Sequence, residues 1–443
     1  MAEFTPDRIS FLTLAGVPLV AAFDGGRLTS DGGLPWLAEA DAALGLCATL
    51  ARCIPDWRRG TVIHSLETLV RQRVFQIACG YEDQDDADTL RTDPLLKLVC
   101  GRLPDSGIPL ASQPTMSRLE NHISRHTAER VATALVDLYL HVRGRHGPPR
   151  RILLDFDGTD DPAHGEQEGV AFHGYYDQYM YHPLLVFDGD TGQLITAVLR
   201  PGNAHGSRLA VLVLRRLLRR LRAAWPGVVV ELRADGGFAI PRLYSWCEAH
   251  AVAYTIGLVP NPALERLAAP LLREAEGQSA AADGARVRLV AETTYQAGSW
   301  SRPRRVVYKA ETLAKGPNTR FVVTTHGEEP TTVYDTYVDR GQSENFIKDY
   351  KNALAADRLS DHRFWANQCR LLLHAAAYWL LDTVRGWLVD TEAARYQFDT
   401  LRLRLLKVAG RVWELTGWVR LALATSHPAA PLWPRLARRR HTP

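Results

Sequence analysis

The chain has 443 residues, of which 46% are hydrophobic and 23% charged, with a formal net charge of +4. That length exceeds one ordinary core and predicts two or three domains, while the composition excludes wholesale disorder and the mild charge does not by itself mark a nucleic-acid binder. Six cysteines without a CxxC pairing exclude a zinc cluster or disulfide framework, and the absence of a basic-then-apolar leader completes the expectation of a soluble cytoplasmic protein.

Residues 1–147 read as a helical region. "IHSLETLVRQRVFQIACG" has apolar positions near helical spacing and stops at Gly80. "SQPTMSRLEN" has the look of the turn and second helix of a helix-turn-helix, with Thr115, Ser117 and Arg118 at its leading end, so this region is the expected DNA reader. Glycine and proline in "GRHGPPRR" (144–151) mark a boundary.

From 148 to 259 the character changes to mixed α/β. "RILLDFDG" predicts a strand, "YHPLLVFDGDTGQLITAVLRPG" a hairpin, and "SRLAVLVLRRLLRRLRAAW" a helix whose arginines suit contact with a polyanion. A β-branched strand ending at Asp235, a helix opened by Pro241 and the strand "VAYTIGLV" follow, giving a hairpin that feeds an open sheet. Residues 260–328 hold "RVRLVAETTYQAG", "RRVVYKAET" and "TRFVVTTH", expected as a β-rich insertion. Helical character resumes over 329–390. The segment 391–443 is expected to be helical and basic, because from Arg395 to Arg440 its only acids are Asp399 and Glu414.

Asp155 and Asp157 end the first strand two residues apart, hence on one face, and Asp235 ends a later strand. Functional groups of open α/β sheets gather at such carboxyl ends. In "YVDRGQSENFIKDYK" (337–351), Tyr337, Arg340, Glu344 and Lys351 fall on one broad face of a continuous helix at about 100° per residue. Converging carboxylates repel unless hard cations neutralise them, which points to magnesium and phosphoryl transfer, with Arg340 and Lys351 gripping phosphate oxygens and Tyr337 assisting. An ordinary solvated face with i,i+4 ion pairs is the competing reading of this helix. Asp160 and Asp161 read as a plain acidic loop, and His164, His173 and His182 as hydrogen-bonded or surface histidines. Trp300, in "AGSWSRPRR", is a hairpin packing residue or a platform for stacking on an unpaired base.

These residues resemble the DDE transposases of bacterial insertion sequences, in the branch with the signature Tyr-x2-Arg-x3-Glu-x6-Lys. Tyr337, Arg340, Glu344 and Lys351 match it at every gap. "LLDFDGTDDPAHGEQEGVAFHGYYD", "RPGNAHGS" and "ELRADGGF" resemble further family blocks, and the likeness covers nearly the whole chain. It implies a ribonuclease-H-like core interrupted by a β-rich insertion, and two Mg²⁺ ions, replaceable by Mn²⁺, on the triad Asp157, Asp235 and Glu344. Asp157 is preferred to Asp155 because Gly158 and Thr159 follow it. The implied activity is cleavage at terminal inverted repeats and strand transfer into target DNA by a homodimer in a synaptic complex, through a cut-and-paste route. A nuclease that cuts without joining, and a helix-turn-helix regulator without catalysis, are the alternatives.

Overall fold

The computed structural model describes residues 9–439, apart from residues 12, 14, 314 and 315; the opening "MAEFTPDR" and Arg440 of the basic run lie outside them. The chain divides into two compact units, one of Cys53–Pro55 with Glu120–Trp379, the other of Met1–Arg52, Asp56–Leu119 and Leu380–Pro443.

The first unit is built on an eight-stranded sheet of β1 (Arg151–Gly158), β2 (Leu184–Asp188), β3 (Leu194–Val198), β4 (Val229–Ala234), β5 (Ala253–Leu258), β6 (Arg288–Tyr295), β7 (Arg304–Leu313) and β8 (Gly316–Thr324). Their order across the sheet is β6-β7-β8-β5-β4-β1-β2-β3. β1, β4 and β5 are parallel, and the strands on both flanks are antiparallel. β1 is buried from Ile152 to Asp157, which explains why "ILLDF" is an apolar run broken only by an acid.

The helices of this unit are α1 (Arg125–Arg143), α2 (Ala210–Ala224), α3 (Pro241–Ala249), α4 (Pro262–Ala281), α5 (Pro330–Val338), α6 (Gly341–Lys348) and α7 (Phe364–Gly386), the last running on past its boundary. α2 buries Val213, Leu214, Leu217, Leu218 and Leu221 and turns its arginines outward. The edge of β3 is closed by side chains of α7. Gln368 accepts from the Leu199 N–H and donates to the Ala197 carbonyl, and the Trp379 indole donates to Leu194.

Three expectations need correction. The stretch 260–328 opens with the twenty-residue α4, started by Pro262 and capped by the Asn261 side chain on the N–H groups of Ala263 and Leu264. Its strands then extend the central sheet through β5–β8 pairing. The stretch 337–351 is not one helix. α5 ends at Val338, and α6 starts at Gly341 after a tight step in which the Arg340 N–H donates to the Tyr337 carbonyl. A π-helical turn, Asp349–Ala353, follows. Glycine, the weakest helix former after proline, marks the break.

In the second unit, residues 391–443 are not simply helical. Gly410–Leu415 and Trp418–Leu423 form an antiparallel hairpin, turned at Gly417 with φ of 84°, and the first of these strands pairs with Leu28–Thr29. Lys407 lies 2.7 Å from Asp31 and over the Tyr81 ring, and Trp36 meets Trp433 edge-on, so the two ends of the chain share one fold. The helix expected from "SQPTMSRLEN" forms as Gln113–Asn121, with Met116 and Leu119 buried and Arg118 exposed.

Candidate active site

The parallel register places Arg233 of β4 beside Asp155 of β1, and carries Asp235 to the level of Asp157. The lower of these two rungs is a closed ion pair. Arg233 donates two hydrogen bonds to the two Asp155 oxygens at 2.6 and 2.7 Å, both side chains being almost wholly buried. Ser343 donates a third to Asp155 at 2.7 Å, and Arg233 also donates to the Thr336 carbonyl at 2.6 Å. This knot fastens α5 and α6 to β1 and β4. Each of its side chains stands one or two residues from a member of the expected triad: Asp155 from Asp157, Arg233 from Asp235, and Ser343 from Glu344.

The upper rung is different. Asp157 accepts a hydrogen bond from the Arg340 side chain at 2.7 Å and another from the Gly158 N–H. Burial pushes its carboxyl up to about 7 against the pull of Arg340, with the Asp235 charge adding to the rise. Asp235 accepts from the Gly237 N–H at 3.0 Å. Tyr337 reaches over the neighbouring strand, where Gly257 is required: a Cβ there would stand 2.5 Å from the Tyr337 hydroxyl. Burial raises the Tyr337 hydroxyl, and Arg340, its hydrogen-bond partner, draws it down. Lys351, on the π-helical turn, pairs with Asp160 at 2.6 Å and lies 3.9 Å from Asp357. Both signature cations are therefore held by acids at the exit of β1.

Glu344 is exposed on α6, next to the anchored Ser343. The structure thus brings Asp157, Asp235, Tyr337 and Arg340 together and ties Lys351 to the same strand end. Among the described residues no three acids or other ligating side chains stand close enough together to hold a metal ion. The donors nevertheless suit a hard cation: two carboxylates share a rung, and the Arg340 guanidinium now supplies the positive charge paired with Asp157.

The remaining expected sites separate clearly. Trp300 is not available for stacking: it is 6% exposed, with Tyr244 and Tyr295 edge-on at 5.4 and 5.5 Å and the Arg304 guanidinium over its ring at 5.3 Å. Asp160 and Asp161 are not a plain acidic loop, since Asp160 holds Lys351 and Asp161 is buried. His182 is buried with Nδ1 2.9 Å from the Ala204 carbonyl, and burial pushes it down to about 4.

Two contributors escaped the sequence reading. The Asp155–Arg233–Ser343 knot was legible only as matched pairs, an acid and a base each two residues before a strand-end aspartate. Arg200, in "RPGNAHGS", is wholly buried and donates to the carbonyls of His182, Pro183, Gly206 and Arg208. Burial lowers it to about 10, with Arg208 adding to the drop and Tyr176 and Asp235 opposing it.

The family model described as transposase DDE domain group 1 matches residues 11–441. The chain belongs to that family. Its role is accordingly that of a transposase, and enzymes of this family generally cut and transfer DNA strands with divalent metals. Among curated proteins none matches the sequence. Among solved structures the chain is similar to piggyBac transposase in its synaptic complex with hairpin DNA, at 12% identity and a TM-score of 0.43, over 86% of this chain and 80% of that one.

Proposed function

We propose that this transposase binds the terminal inverted repeats of its own element in the cytoplasm, cleaves DNA at the element ends, and transfers the freed 3′-hydroxyl to target DNA by cut-and-paste. The reading rests on the rung formed by Asp157 and Asp235 at the carboxyl edge of β1 and β4, with Arg340 as its counter-charge. The antiparallel β1–β2–β3 run joined to parallel β4 and β5, with acids at the strand ends, supports a ribonuclease-H-like core.

Asp157, Asp235 and Glu344 would hold two Mg²⁺ ions, or Mn²⁺ in their place. Bound there, such ions lower the pKa of an attacking water and neutralise the leaving oxygen. Arg340, released from Asp157, and Lys351, released from Asp160, then turn to phosphate oxygens; the arginine fork can take two of them at once. Tyr337 keeps Arg340 oriented from its seat over Gly257. The knot beneath holds β1, β4 and α6 in register, so Glu344 would approach the strand-end acids from a fixed direction when metal binds. Duplex DNA is the partner, and a homodimer forms the synaptic complex.

The test is a supercoiled plasmid bearing the DNA that flanks the coding sequence, incubated with protein and Mg²⁺ or Mn²⁺. Excised element and strand-transfer products are expected, and both should vanish in Asp157→Asn. Cleavage without joining would reduce the protein to a nuclease, and no metal-dependent product at all would overturn the reading.

A further inference from the structure

With Trp300 buried, the aromatic surface of this unit lies elsewhere. Between β1 and β2 the chain folds into three short strands, Asp161–Pro162, Ala171–His173 and Gln178–Tyr181, the last pairing with both others. This small sheet exposes three aromatic rings: Phe172 at 48%, Tyr179 at 64% and Tyr175 at 86%. Phe172 and Tyr179 are cross-strand partners with ring centroids 5.6 Å apart, and they cover each other. Tyr175 is different. It sits at the hairpin tip, between Gly174 and Tyr176, ahead of Asp177 whose φ is 53°. The turn closes through the N–H groups of Tyr176 and Asp177 on the His173 carbonyl, which leaves the Tyr175 ring outside.

Two connections join this tip to the candidate active site. Tyr175 meets Tyr176 edge-on at 5.1 Å, and Tyr176 lies 5.0 Å from the His173 ring and 6.0 Å from the His182 ring. His182 in turn packs against Gly158, where an added Cβ would stand 2.7 Å from its Nε2. Gly158 directly follows Asp157. The second connection is polar: Gln178 donates to Asp160 at 3.3 Å, and Asp160 also accepts from Lys351. The Tyr176 hydroxyl is pushed up to about 12, by burial first and then by Asp160 and Asp157, which agrees with this proximity.

We propose that Tyr175 is a stacking platform for an unpaired nucleobase of the DNA end engaged at Asp157 and Asp235. The inference rests on the function proposed above. The Tyr175 ring is 86% exposed and steadied by edge-on contact with Tyr176, which His173 and His182 back in turn; it offers π-surface to solvent, and every base has a complementary face, so the contact needs no sequence readout. Lys351 and Arg340, on the same strand exit, supply the phosphate side that a stacked nucleotide also needs.

The probe is a forked duplex made from the flanking DNA, with 2-aminopurine at the first unpaired position, titrated with full-length protein in the absence of divalent metal. Wild type should quench the fluorophore, and Tyr175→Phe and Tyr175→Trp should keep the quench. Tyr175→Ala should lose it and bind the fork about five- to a hundredfold more weakly, while binding the fully paired duplex as wild type does. An unchanged melting temperature would exclude misfolding of that variant. Quenching retained in Tyr175→Ala overturns the inference, and so does quenching lost in Tyr179→Ala instead. If wild type cleaves flanking DNA while Tyr175→Ala matches it in every readout, the inference alone fails. If wild type neither binds nor cleaves that DNA, the proposed function fails with it.

Discussion

Asp155 and Asp157 lie two residues apart on one face of β1, yet their surroundings are opposite in kind. Around Asp155, three donated hydrogen bonds from Arg233 and Ser343 occupy both oxygens in a nearly dry layer. Around Asp157, Arg340 is the one side-chain donor among the described residues, joined by the Gly158 N–H, with a neighbouring acid and a side chain that keeps 13% of its surface. A carboxylate already neutralised by a bidentate guanidinium and a third donor has little left for a cation, whereas one that shares a rung with another acid needs a cation to stay charged. Position on a strand does not separate structural from chemical acids; the count of donors around each does.

The largest effect should come from the upper layer. Asp157→Asn, Asp235→Asn and Glu344→Gln should each abolish metal-dependent cleavage while DNA-end binding persists, as read by plasmid excision and gel shift. Asp155→Asn should leave cleavage detectable in whatever fraction of the protein folds. A folded, inactive Asp155→Asn beside an active Asp157→Asn would reverse the two roles. The lower layer should instead answer in stability. Arg233→Met strands a buried Asp155 and should cost about 3–5 kcal/mol in denaturant unfolding. Ser343→Ala removes one charge-assisted bond and should cost roughly 1.5–3 kcal/mol. Equal unfolding midpoints for wild type and Arg233→Met would break the comparison.

How much of this was legible beforehand follows the same division. The central strands announced themselves, because buried parallel strands need nearly continuous apolar runs, and "RILLDF" and "GVVVEL" supply them with a single acid in each. The strand-end aspartates and the spacing of the signature residues were also readable, being local. The break at Gly341 was not, since the 100° rule assumes the helix it is used to test. The hairpin at 410–423 was not legible, because Arg411 and Arg420 mask the alternation of "RVWEL" and "WVRLAL" around Gly417. Trp300 and Tyr175 are both aromatic residues that follow a glycine closely in turn-like stretches, "AGSW" and "HGYY". Only tertiary packing, with Tyr244, Tyr295 and Arg304 around one and solvent around the other, distinguishes them.

A smaller effect sharpens the contrast between the cations. Arg340→Ala and Lys351→Ala should weaken binding to end DNA about tenfold to a hundredfold, the range of a charge-assisted contact. Arg340→Lys should recover only part of this, because lysine lacks the bidentate fork. Arg340→Ala should also bind Mn²⁺ more tightly than wild type in DNA-free protein, measured by calorimetry, since it removes the cation now paired with Asp157. Lys351→Ala, whose partner is Asp160, should not share that gain. Identical Mn²⁺ affinities for wild type and Arg340→Ala would show that the ion pair offers no competition.

The last test adds a third carboxylate. Asp161 is as buried as Asp155, at 1% exposure for each, but neither of its oxygens has a hydrogen-bond partner among the described residues. Burial raises its pKa well above 3.8, Asp357 raises it further, and Lys351 opposes both. Because the folded value is the raised one, the folded state holds its proton longer than the unfolded chain. The stability this gives is fully present below the unfolded pKa and is lost as pH rises through the folded one, at no more than about 1.4 kcal/mol per pH unit. Asp161→Asn cannot titrate, so its melting temperature should match wild type in acid and exceed it increasingly toward neutral pH and above. Asp155→Asn, in contrast, breaks a satisfied pair and should melt below wild type. If Asp161→Asn runs parallel to wild type across the whole pH range, the buried oxygens have found donors in solution and the difference between these two acids disappears.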